Sequence, residues 1–365
     1  MARAMVGIFV SPPLSVGVTS TTLDKPAHEH GGARRAPSLV FHGEFGVPIH
    51  WYRVYGQLLA SDLPIPELRQ AEPGDAARSV RTGTPADPRE ALGGVLLGSQ
   101  ALYPGCQARL YRLPGGLRIV VDDTGMYDLS DQGRTITWRA FPHGTLDFAR
   151  AHLLGRVLAT ALHFEGALVL HGSAVSYPSG AVLFLAPKHT GKSTLALALT
   201  LAGGRLISDD TITVVHADCP EVLPGVHSLR LLGDTAAGLA GVLPAERRAD
   251  GKYVMTDLSP ESLETEVRPL TAVYLLAAAE TIASGEAVAR APLSRPVAAA
   301  GIMGQGKVSE MLGPGEAPVL LRRAAQVATR VPVYRLAVVR DMGRLPEVTA
   351  RMNEWHGIPA GLPGQ

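Results

Sequence analysis

The chain has 365 residues, more than one average domain usually needs, and its composition excludes several classes of protein. Lys and Arg total 34 against 33 Asp and Glu, which argues against a nucleic-acid partner, since a dedicated binder should carry a basic excess. The two cysteines, Cys106 and Cys219, have no CxxC partner and no histidine at zinc spacing, so we expect a reduced, cytoplasmic protein without disulfides. The sequence contains no run of 18 or more uncharged apolar residues, so we expect no transmembrane helix. The apolar run near the N-terminus is too short for a signal peptide.

The texture of the sequence divides the chain into four regions. Residues 1–48 mix Ser, Thr, Gly and Pro without a period and predict a poorly ordered tail. Residues 49–145 contain short alternating segments separated by Gly and Pro, which predict a β-rich N-terminal module. Residues 146–355 alternate apolar runs with helical stretches, as expected of an α/β domain with a largely buried sheet. Residues 356–365 are a second predicted tail.

In the N-terminal module the predicted strands cover residues 49–59, 108–112, 117–122 and 135–140, with hairpin turns at 114–116 and 131–133. Asp122 and Asp123 end one of these strands, directly before Thr124 and Gly125. Because Asp strongly favours turns, this pair predicts a turn and not a catalytic site.

After the module, residues 146–164 carry apolar side chains at helical spacing, and Gly166 can end the helix. In the later part of the chain, apolar runs predict strands at residues 168–171, 181–186, 205–208, 211–215, 270–278 and 331–339. Helical patterns lie between or after them, at residues 194–202, 317–329 and 344–355.

The strongest motif is AVLFLAPKHTGKSTLALAL, residues 181–199, in which an apolar strand enters a loop that opens a helix. It follows the P-loop pattern, with Ala186 in place of the first glycine. Backbone N–H groups and the helix N-terminus would cradle the phosphates of ATP, Lys192 would reach the β- and γ-phosphates, and Ser193 would offer its hydroxyl to Mg²⁺. The predicted nucleotide-binding residues are Lys188, His189, Thr190, Gly191, Lys192, Ser193 and Thr194.

A second carboxylate pair, Asp209 and Asp210, follows the predicted strand 205–208, one helix and one strand after Lys192. In a parallel sheet the end of the next strand lies beside the P-loop. One carboxylate could hold Mg²⁺ and the other could accept the proton of an attacking hydroxyl. An ordinary turn at a strand end is the alternative interpretation.

His171 ends the predicted strand before the P-loop strand, within LHGSAV. We expect its strand to pair with the P-loop strand through a hairpin at residues 177–180. A histidine there could contact phosphate or tune the two aspartates, and a packed polar residue is the alternative.

Together, LHGSAV, APKHTGKSTLA and RLISDD, in this order and spacing, resemble the C-terminal catalytic domain of HPr kinase/phosphorylase over about residues 145–345. That family is a P-loop kinase group, unrelated in fold to eukaryotic protein kinases, that phosphorylates a serine hydroxyl on a small carrier protein. The resemblance implies an α/β P-loop kinase domain of HPr-kinase type behind a mostly β N-terminal module, with ATP and Mg²⁺ as cofactors.

Position by position, the resemblance implies that Asp209 is the catalytic base and that Asp210, near the metal, positions Mg²⁺ with Ser193. His171 matches the family histidine that precedes the P-loop strand.

Arg230 matches the arginine of an E-I-R signature and would contact the transferred phosphoryl group or the acceptor, with Lys252 as the alternative. Ser228 stands where the family has a metal-binding glutamate, so the resemblance does not extend to a second Mg²⁺ or to reverse phosphorolysis.

Residues 52–68 and 331–348 are similar to HPr-kinase-related proteins of peptide natural-product pathways, which include kinases for a C-terminal serine of lasso-peptide precursors. The resemblance implies a serine kinase acting on a peptide or small protein, without a nucleic-acid or membrane partner, and it suggests homo-oligomers. Two alternatives stay open. One is a kinase for a small-molecule hydroxyl such as that of free serine, and the other is a nucleotide-binding regulatory protein without transfer activity.

Overall fold

The computed structural model describes residues 48–91, 93–130, 133–216, 218–231, 246–247, 253–255 and 258–358. The predictions for the tail at residues 1–47, for the end of the C-terminal tail, for the start of the turn at 131–133 and for Lys252 lie outside this part of the chain.

The first part of the described chain, residues 50–140, forms a mixed sheet in the order β3-β1-β2-β4-β9-β8-β7-β6-β5. The strands are β1 (His50–Val54), β2 (Gln57–Ser61), β3 (Arg69–Gln70), β4 (Arg78–Thr82), β5 (Val95–Tyr103), β6 (Cys106–Leu113), β7 (Gly116–Val121), β8 (Gly125–Ser130) and β9 (Thr135–Ala140). β5 to β9 form successive antiparallel hairpins, whereas β4 runs parallel to both of its neighbours. The expectation of a β-rich segment here agrees with this sheet.

The predicted strand at 49–59 is wrong in one respect, because the structure divides it into the hairpin of β1 and β2. Tyr55 and Gly56 connect the two strands with φ values of 53° and 68°. A left-handed backbone at two successive residues reverses the chain and ends the extended conformation. The sequence pattern missed the turn because a tyrosine seldom adopts positive φ.

The helical segment after the first sheet contacts both halves of the described chain. It consists of α1 (Leu146–His152), a π-helical turn (Leu153–Val157) and α2 (Leu158–Phe164), so the predicted helix at 146–164 is confirmed apart from the π turn. Toward the first sheet, Tyr127 donates to the Ala149 carbonyl at 2.9 Å, and Arg78 pairs with Glu165 at 2.7 Å.

One hydrophobic cluster extends from the first sheet through this helical segment into the second sheet, and it includes Leu110, Tyr127, Leu158 and Leu183. Each of these side chains is almost completely removed from water. Because this core is continuous across residue 145, the proposed domain boundary stays a prediction.

The second sheet is mixed, in the order β10-β14-β15-β19-β12-β11-β13, with β21 on β19 and β20 on β21. Its strands are β10 (Leu168–Leu170), β11 (Gly172–Tyr177), β12 (Gly180–Leu185), β13 (Arg205–Asp209), β14 (Ile212–Val215), β15 (Glu221–Leu223), β19 (Arg268–Ala279), β20 (Val288–Pro292) and β21 (Val333–Val339). A small separate sheet contains β16 (Leu229–Leu231), β17 (Glu246–Arg247) and β18 (Tyr253–Met255). Every residue of β11 and β12 is buried, and for β12 this agrees with the predicted apolar run at 181–186.

Helices cover the second sheet and complete an α/β architecture, which confirms the predicted fold class at this level. They are α3 (Lys192–Leu201), α4 (Arg295–Met303), α5 (Ser309–Leu312), α6 (Ala317–Arg330) and α7 (Leu345–His356). Within the described ranges, none of the helices combines the length and the apolar character that crossing a bilayer requires.

The strand arrangement beside α3 differs from the prediction. β13 does not pair with β12, because β11 lies between them and is antiparallel to both. β12 and β13 therefore point the same way with one strand between them. Their C-terminal ends still reach the same edge of the sheet, and this edge carries the candidate site.

Candidate functional site

The loop between β12 and α3, residues 186–191, makes a tight glycine turn. His189 and Gly191 have left-handed φ values of 65° and 99°. A Cβ at Gly191 would meet no atom within 4 Å, so the demand for glycine there comes from the backbone conformation and not from space. The loop is held by the Thr190 hydroxyl, which donates to the Pro187 carbonyl at 2.8 Å, and by Arg340, which donates to the His189 carbonyl at 3.3 Å.

Lys192 is the first residue of α3, and its side chain folds back into this turn. Its ammonium donates to the carbonyls of Ala186 and Pro187 at 2.8 and 2.9 Å. The residue is only 6% exposed. A lysine this deeply buried needs such partners, because an ammonium loses hydration when it leaves water. The loop carbonyls thus hold the positive charge inside the turn.

Asp209, the last residue of β13, lies beside the start of α3. Its Oδ1 accepts hydrogen bonds from the hydroxyls of Ser173 at 2.5 Å and Ser193 at 3.1 Å. Ser173 is the register partner of Asp209 across β11 and β13, so the intervening strand itself supplies one donor. The carboxylate is 4% exposed and directly adjoins the hydroxyl that follows Lys192.

Asp210 leaves the strand in a left-handed conformation, with φ 70°. Its carboxylate pairs with Lys307 at 2.7 Å and with Nδ1 of His171 at 3.3 Å. The same Nδ1 lies 3.2 Å from the Asp210 carbonyl oxygen. Since both neighbours of Nδ1 are acceptors, this nitrogen carries the proton. The two aspartates therefore differ in these partners, since Asp209 accepts from two hydroxyls and Asp210 contacts Lys307 and His171.

The turn at residues 304–307, between α4 and α5, brings Lys307 to Asp210. Backbone hydrogen bonds fix it on β10, from His171 N to the Gln305 carbonyl at 2.7 Å and from Lys307 N to the Val169 carbonyl at 3.0 Å. Leu170 and Gly306 also form an isolated antiparallel bridge. The lysine is thus held by the strand that leads into His171.

A cavity of about 140 Å³ opens next to Asp210. It is lined by Gln100, Arg156, His171, Lys188, Gly304, Gln305, Gly306, Lys307, Ser309 and Glu310. Arg156 comes from the π turn and Gln100 from β5, so the first sheet contributes to this wall. The preceding residue, Gly155, faces the aspartate, since a Cβ there would lie 4.0 Å from Asp210 Oδ2.

Tyr55 is a buried phenol whose pKa is affected by the charge of Asp210. Burial, and after it the charge of Asp210, raises the pKa of Tyr55 well above its ordinary value. The phenol therefore stays neutral at all physiological pH values and adds no charge near the site.

A second hollow, on the β5–β6 hairpin, has a different character. It is open to solvent and is lined by residues 101–107 with Arg109 and Asp122. Its arginine already forms an ion pair with Asp122. Its glycine, Gly105, lies in a hairpin turn between two strands and not before a helix, so the hollow lacks the features of a phosphate site.

The structure brings together most of the residues that the sequence singled out. Ser193 donates a hydrogen bond to Asp209, His171 contacts Asp210, and Lys188 lines the nearby cavity. Arg230 is in β16, and its side chain lies outside the described part of the structure. Ser228 is buried.

Sequence reasoning missed three site residues, Ser173, Lys307 and Arg156. A usable signal existed for Lys307: the sequence has five lysines and 29 arginines, and this lysine follows the glycine-rich turn Gly-Gln-Gly. Three of the five lysines, Lys188, Lys192 and Lys307, border the same site. No comparable local signal distinguishes Ser173 or Arg156.

No family model and no curated protein matches this chain. Among solved structures, it is similar to the Hpr(Ser) kinase/phosphatase from Coxiella burnetii, with 11% sequence identity and a TM-score of 0.28. The similarity covers 51% of this chain and 96% of that protein. At this identity and TM-score the similarity assigns no function, and the roles of the residues have to come from the geometry of the site.

Proposed function

We propose that this chain is a Mg²⁺–ATP-dependent phosphotransferase that moves the γ-phosphoryl group to a hydroxyl, with a serine of a peptide or small protein as the acceptor. One observation carries the proposal. A buried lysine inside a glycine turn, and two aspartates with different partners, meet at one edge of the second sheet.

The turn and the start of α3 suit the phosphates of ATP. The first N–H groups of a helix have no intrahelical partner and carry partial positive charge, so they attract anions. Residues 186–193 also match the P-loop pattern apart from Ala186. In the proposed complex the ammonium of Lys192 exchanges its bonds to the Ala186 and Pro187 carbonyls for bonds to phosphate oxygens.

The donor set also suits Mg²⁺, which prefers oxygen ligands and keeps several waters when phosphates supply the rest. Ser193 and Asp209 would offer it two adjacent oxygen atoms at the helix start. In the described residues no cluster of three His, Cys, Asp or Glu side chains forms a metal cage, which fits a metal held mainly by nucleotide and water. Bound there, Mg²⁺ would neutralise charge on the β- and γ-phosphates.

These contacts favour a different division of labour from the one the resemblance implied. Ser193 shares its hydroxyl with Asp209 and not with Asp210, so we assign Asp209 to the metal. Asp210 contacts two residues that line the cavity, His171 and Lys307, so we assign it as the base.

In the proposed reaction the acceptor hydroxyl enters the cavity beside Asp210. Its oxygen forms a bond to the γ-phosphorus while the bond from that phosphorus to the β,γ-bridging oxygen breaks. The hydroxyl proton passes to the Asp210 carboxylate, and ADP leaves with the bridging oxygen. Lys307 and Lys192 offset the charge that develops on the transferred group.

Phosphoryl transfer tests this proposal. The full-length chain, with γ-labelled ATP, Mg²⁺ and a serine-containing peptide library, should transfer label to the library. Lys192→Met should lower the rate at least about 100-fold, since oxyanion-type contacts contribute at that level. Arg89→Met, at an exposed cation in the connection between β4 and β5, is the matched control and should keep the wild-type rate. A Lys192→Met variant as active as wild type would contradict the proposal.

A further inference from the structure

The order of strands in the second sheet gives the proposed nucleotide a direction. β12 leads into the glycine turn and has β11 on one side and β19 on the other. Asp209 ends β13, which lies beyond β11. A triphosphate in the turn whose γ-phosphate faces Asp209 would therefore direct its nucleoside toward the side of β19 and β21.

On that side, two strands extend past the end of β12. Leu185, the last residue of β12, pairs with Leu275 in β19, and β19 continues to Ala279 beside Val339 of β21. Four residues of extended chain span about 13 Å. All three strands are parallel, and ligands of such sheets bind beyond the carboxyl ends of the strands. The ends of β19 and β21 thus form a wall beside the glycine turn.

Arg340 directly follows β21, at the end of this wall. Its backbone N–H donates to the Ala279 carbonyl at 2.9 Å, and its Nη2 donates to the His189 carbonyl at 3.3 Å. The next residue, Asp341, fixes the following turn by accepting from Gly343 N at 2.8 Å. Arg340 is nevertheless exposed to solvent. Its guanidinium is therefore held against the glycine turn while the side chain stays accessible.

A guanidinium at this place suits a flat aromatic base. The group is planar and stacks on aromatic rings through its face, so the contact uses none of its N–H donors. Stacking of a base on a side chain depends little on which base is present, because every base has a π-face. The contact to His189 and a stacked base are thus compatible.

We propose that Arg340 forms a nucleoside subsite, in which the base of the nucleotide stacks on the guanidinium while the phosphates occupy the glycine turn. This inference rests on the proposed function and adds the class of nucleotide that the site accepts. Stacking contacts the face of the base and not its edge. The subsite therefore accepts adenine and guanine alike and binds the smaller pyrimidine bases more weakly.

The test compares nucleotides with a triphosphate that has no nucleoside. Calorimetric titrations of the full-length chain with Mg²⁺ and ATP, GTP, UTP or inorganic tripolyphosphate give four affinities. We expect ATP and GTP to bind about 5- to 150-fold more tightly than tripolyphosphate, which is the contribution of one stacked base, and UTP to lie between them.

Variants then assign the difference to Arg340. In Arg340→Ala the ratio of ATP affinity to tripolyphosphate affinity should fall to near one, while tripolyphosphate binds as in wild type. Arg340→Lys keeps the charge without the planar group and should recover little of the ratio. Arg335→Ala, at an exposed cation of β21, is the matched control and should keep the wild-type ratio. Thermal unfolding checks that each variant is folded.

The outcomes separate the two proposals. If wild type binds ATP no more tightly than tripolyphosphate, or if Arg340→Ala lowers both affinities by the same factor, the inference is wrong and phosphate binding by the glycine turn stands. Full recovery of the ratio in Arg340→Lys would indicate a charge contact with phosphate and would also overturn the inference. If neither ATP nor tripolyphosphate binds, the proposed function fails and the inference with it.

Discussion

The chain contains the same dipeptide, Asp-Asp, at the ends of two strands, and the two copies differ in every contact that matters. In the first sheet, Asp122 forms an ion pair with Arg109 and accepts from Gln107 N at 3.0 Å. Asp123 accepts from the neighbouring Thr124 hydroxyl at 2.8 Å. All of these partners belong to the local hairpins β6–β7 and β7–β8.

In the second sheet the partners come from distant elements. Asp209 accepts hydrogen bonds from hydroxyls of β11 and α3. Asp210 forms an ion pair with Lys307, which lies in the turn before α5. The sheets differ in the same way, since successive hairpins dominate β5 to β9, whereas crossovers bring β12, β19 and β21 together as parallel neighbours. We therefore propose that a carboxylate at the end of a strand can take part in a reaction when the topology of the sheet brings polar side chains from distant segments to it.

The largest expected difference between the two pairs is in phosphoryl transfer. Asp210→Asn removes the proposed base and should lower kcat by about 10²- to 10⁴-fold, the range that general-base catalysis supplies. Asp123→Asn, its counterpart in the first sheet, should leave kcat within about twofold of wild type. Initial rates with γ-labelled ATP would measure both, and equal losses would remove the distinction between the pairs.

A smaller effect is expected at Asp209, and it concerns the metal. Asp209→Asn should raise the Mg²⁺ concentration needed for half-maximal nucleotide binding about 10- to 100-fold, because the proposed metal ligand loses its charge. This corresponds to roughly 1.4–2.8 kcal/mol of binding free energy. Calorimetric titration with ATP at a series of Mg²⁺ concentrations would measure this. If Asp210→Asn shifts the Mg²⁺ dependence instead, the original assignment of the metal to Asp210 is the correct one.

Two histidines, His356 in α7 and His143 after the first sheet, should differ in their effect on stability in acid. Burial, followed by the charge of Arg290, lowers the pKa of His356 to about 4, and Tyr274 OH lies 2.9 Å from its Nε2. Since the unfolded chain binds this proton near pH 6.5 and the folded one does not, stability is complete above that pH and is lost as the pH falls toward 4.

His356→Gln should therefore reduce the loss of unfolding free energy between pH 6.5 and 5 by about 1–2 kcal/mol. His143→Gln, at an exposed position after the first sheet, is the control and should reproduce the wild-type curve. Urea unfolding at each pH gives the free energies. A wild-type slope in His356→Gln would contradict the account of this histidine.

The smallest effect is predicted for the structural pair. Asp122→Asn breaks a partly exposed ion pair with Arg109 and should reduce the free energy of unfolding by at most about 1 kcal/mol. Transfer activity should stay at the wild-type level, measured in the same assay as Asp210→Asn. A loss of transfer in this variant would mean that the first sheet takes part in the chemistry.

Features that depend on local contacts could be predicted from the sequence, whereas features that depend on long-range contacts could not. The strand, turn and helix around Lys192, and the structural role of Asp122 and Asp123, depend on neighbouring residues and were read correctly from spacing and turn chemistry. The placement of β11 between β12 and β13 depends on how the whole sheet assembles, and no local pattern determines it.

The roles of Asp209 and Asp210 show why the site itself was harder to predict. The strand ends at Asp209, and the left-handed φ of Asp210 gives the two neighbouring carboxylates different partners, Ser193 for Asp209 and Lys307 for Asp210. Lys307 and Arg156 reach the site from the turn before α5 and from a π turn. The rarity of lysine in the sequence distinguishes Lys307, whereas no local pattern distinguishes Arg156.

The central claim is that the glycine turn at residues 186–191 binds the phosphates of a nucleotide through Lys192. Calorimetric titration of the full-length chain with Mg²⁺–ATP tests it most directly. We predict one site per chain in the wild type and at least about a tenfold loss of affinity, roughly 1.4 kcal/mol, in Lys192→Met. Equal affinity in the two proteins, or no binding by the wild type, would contradict the account.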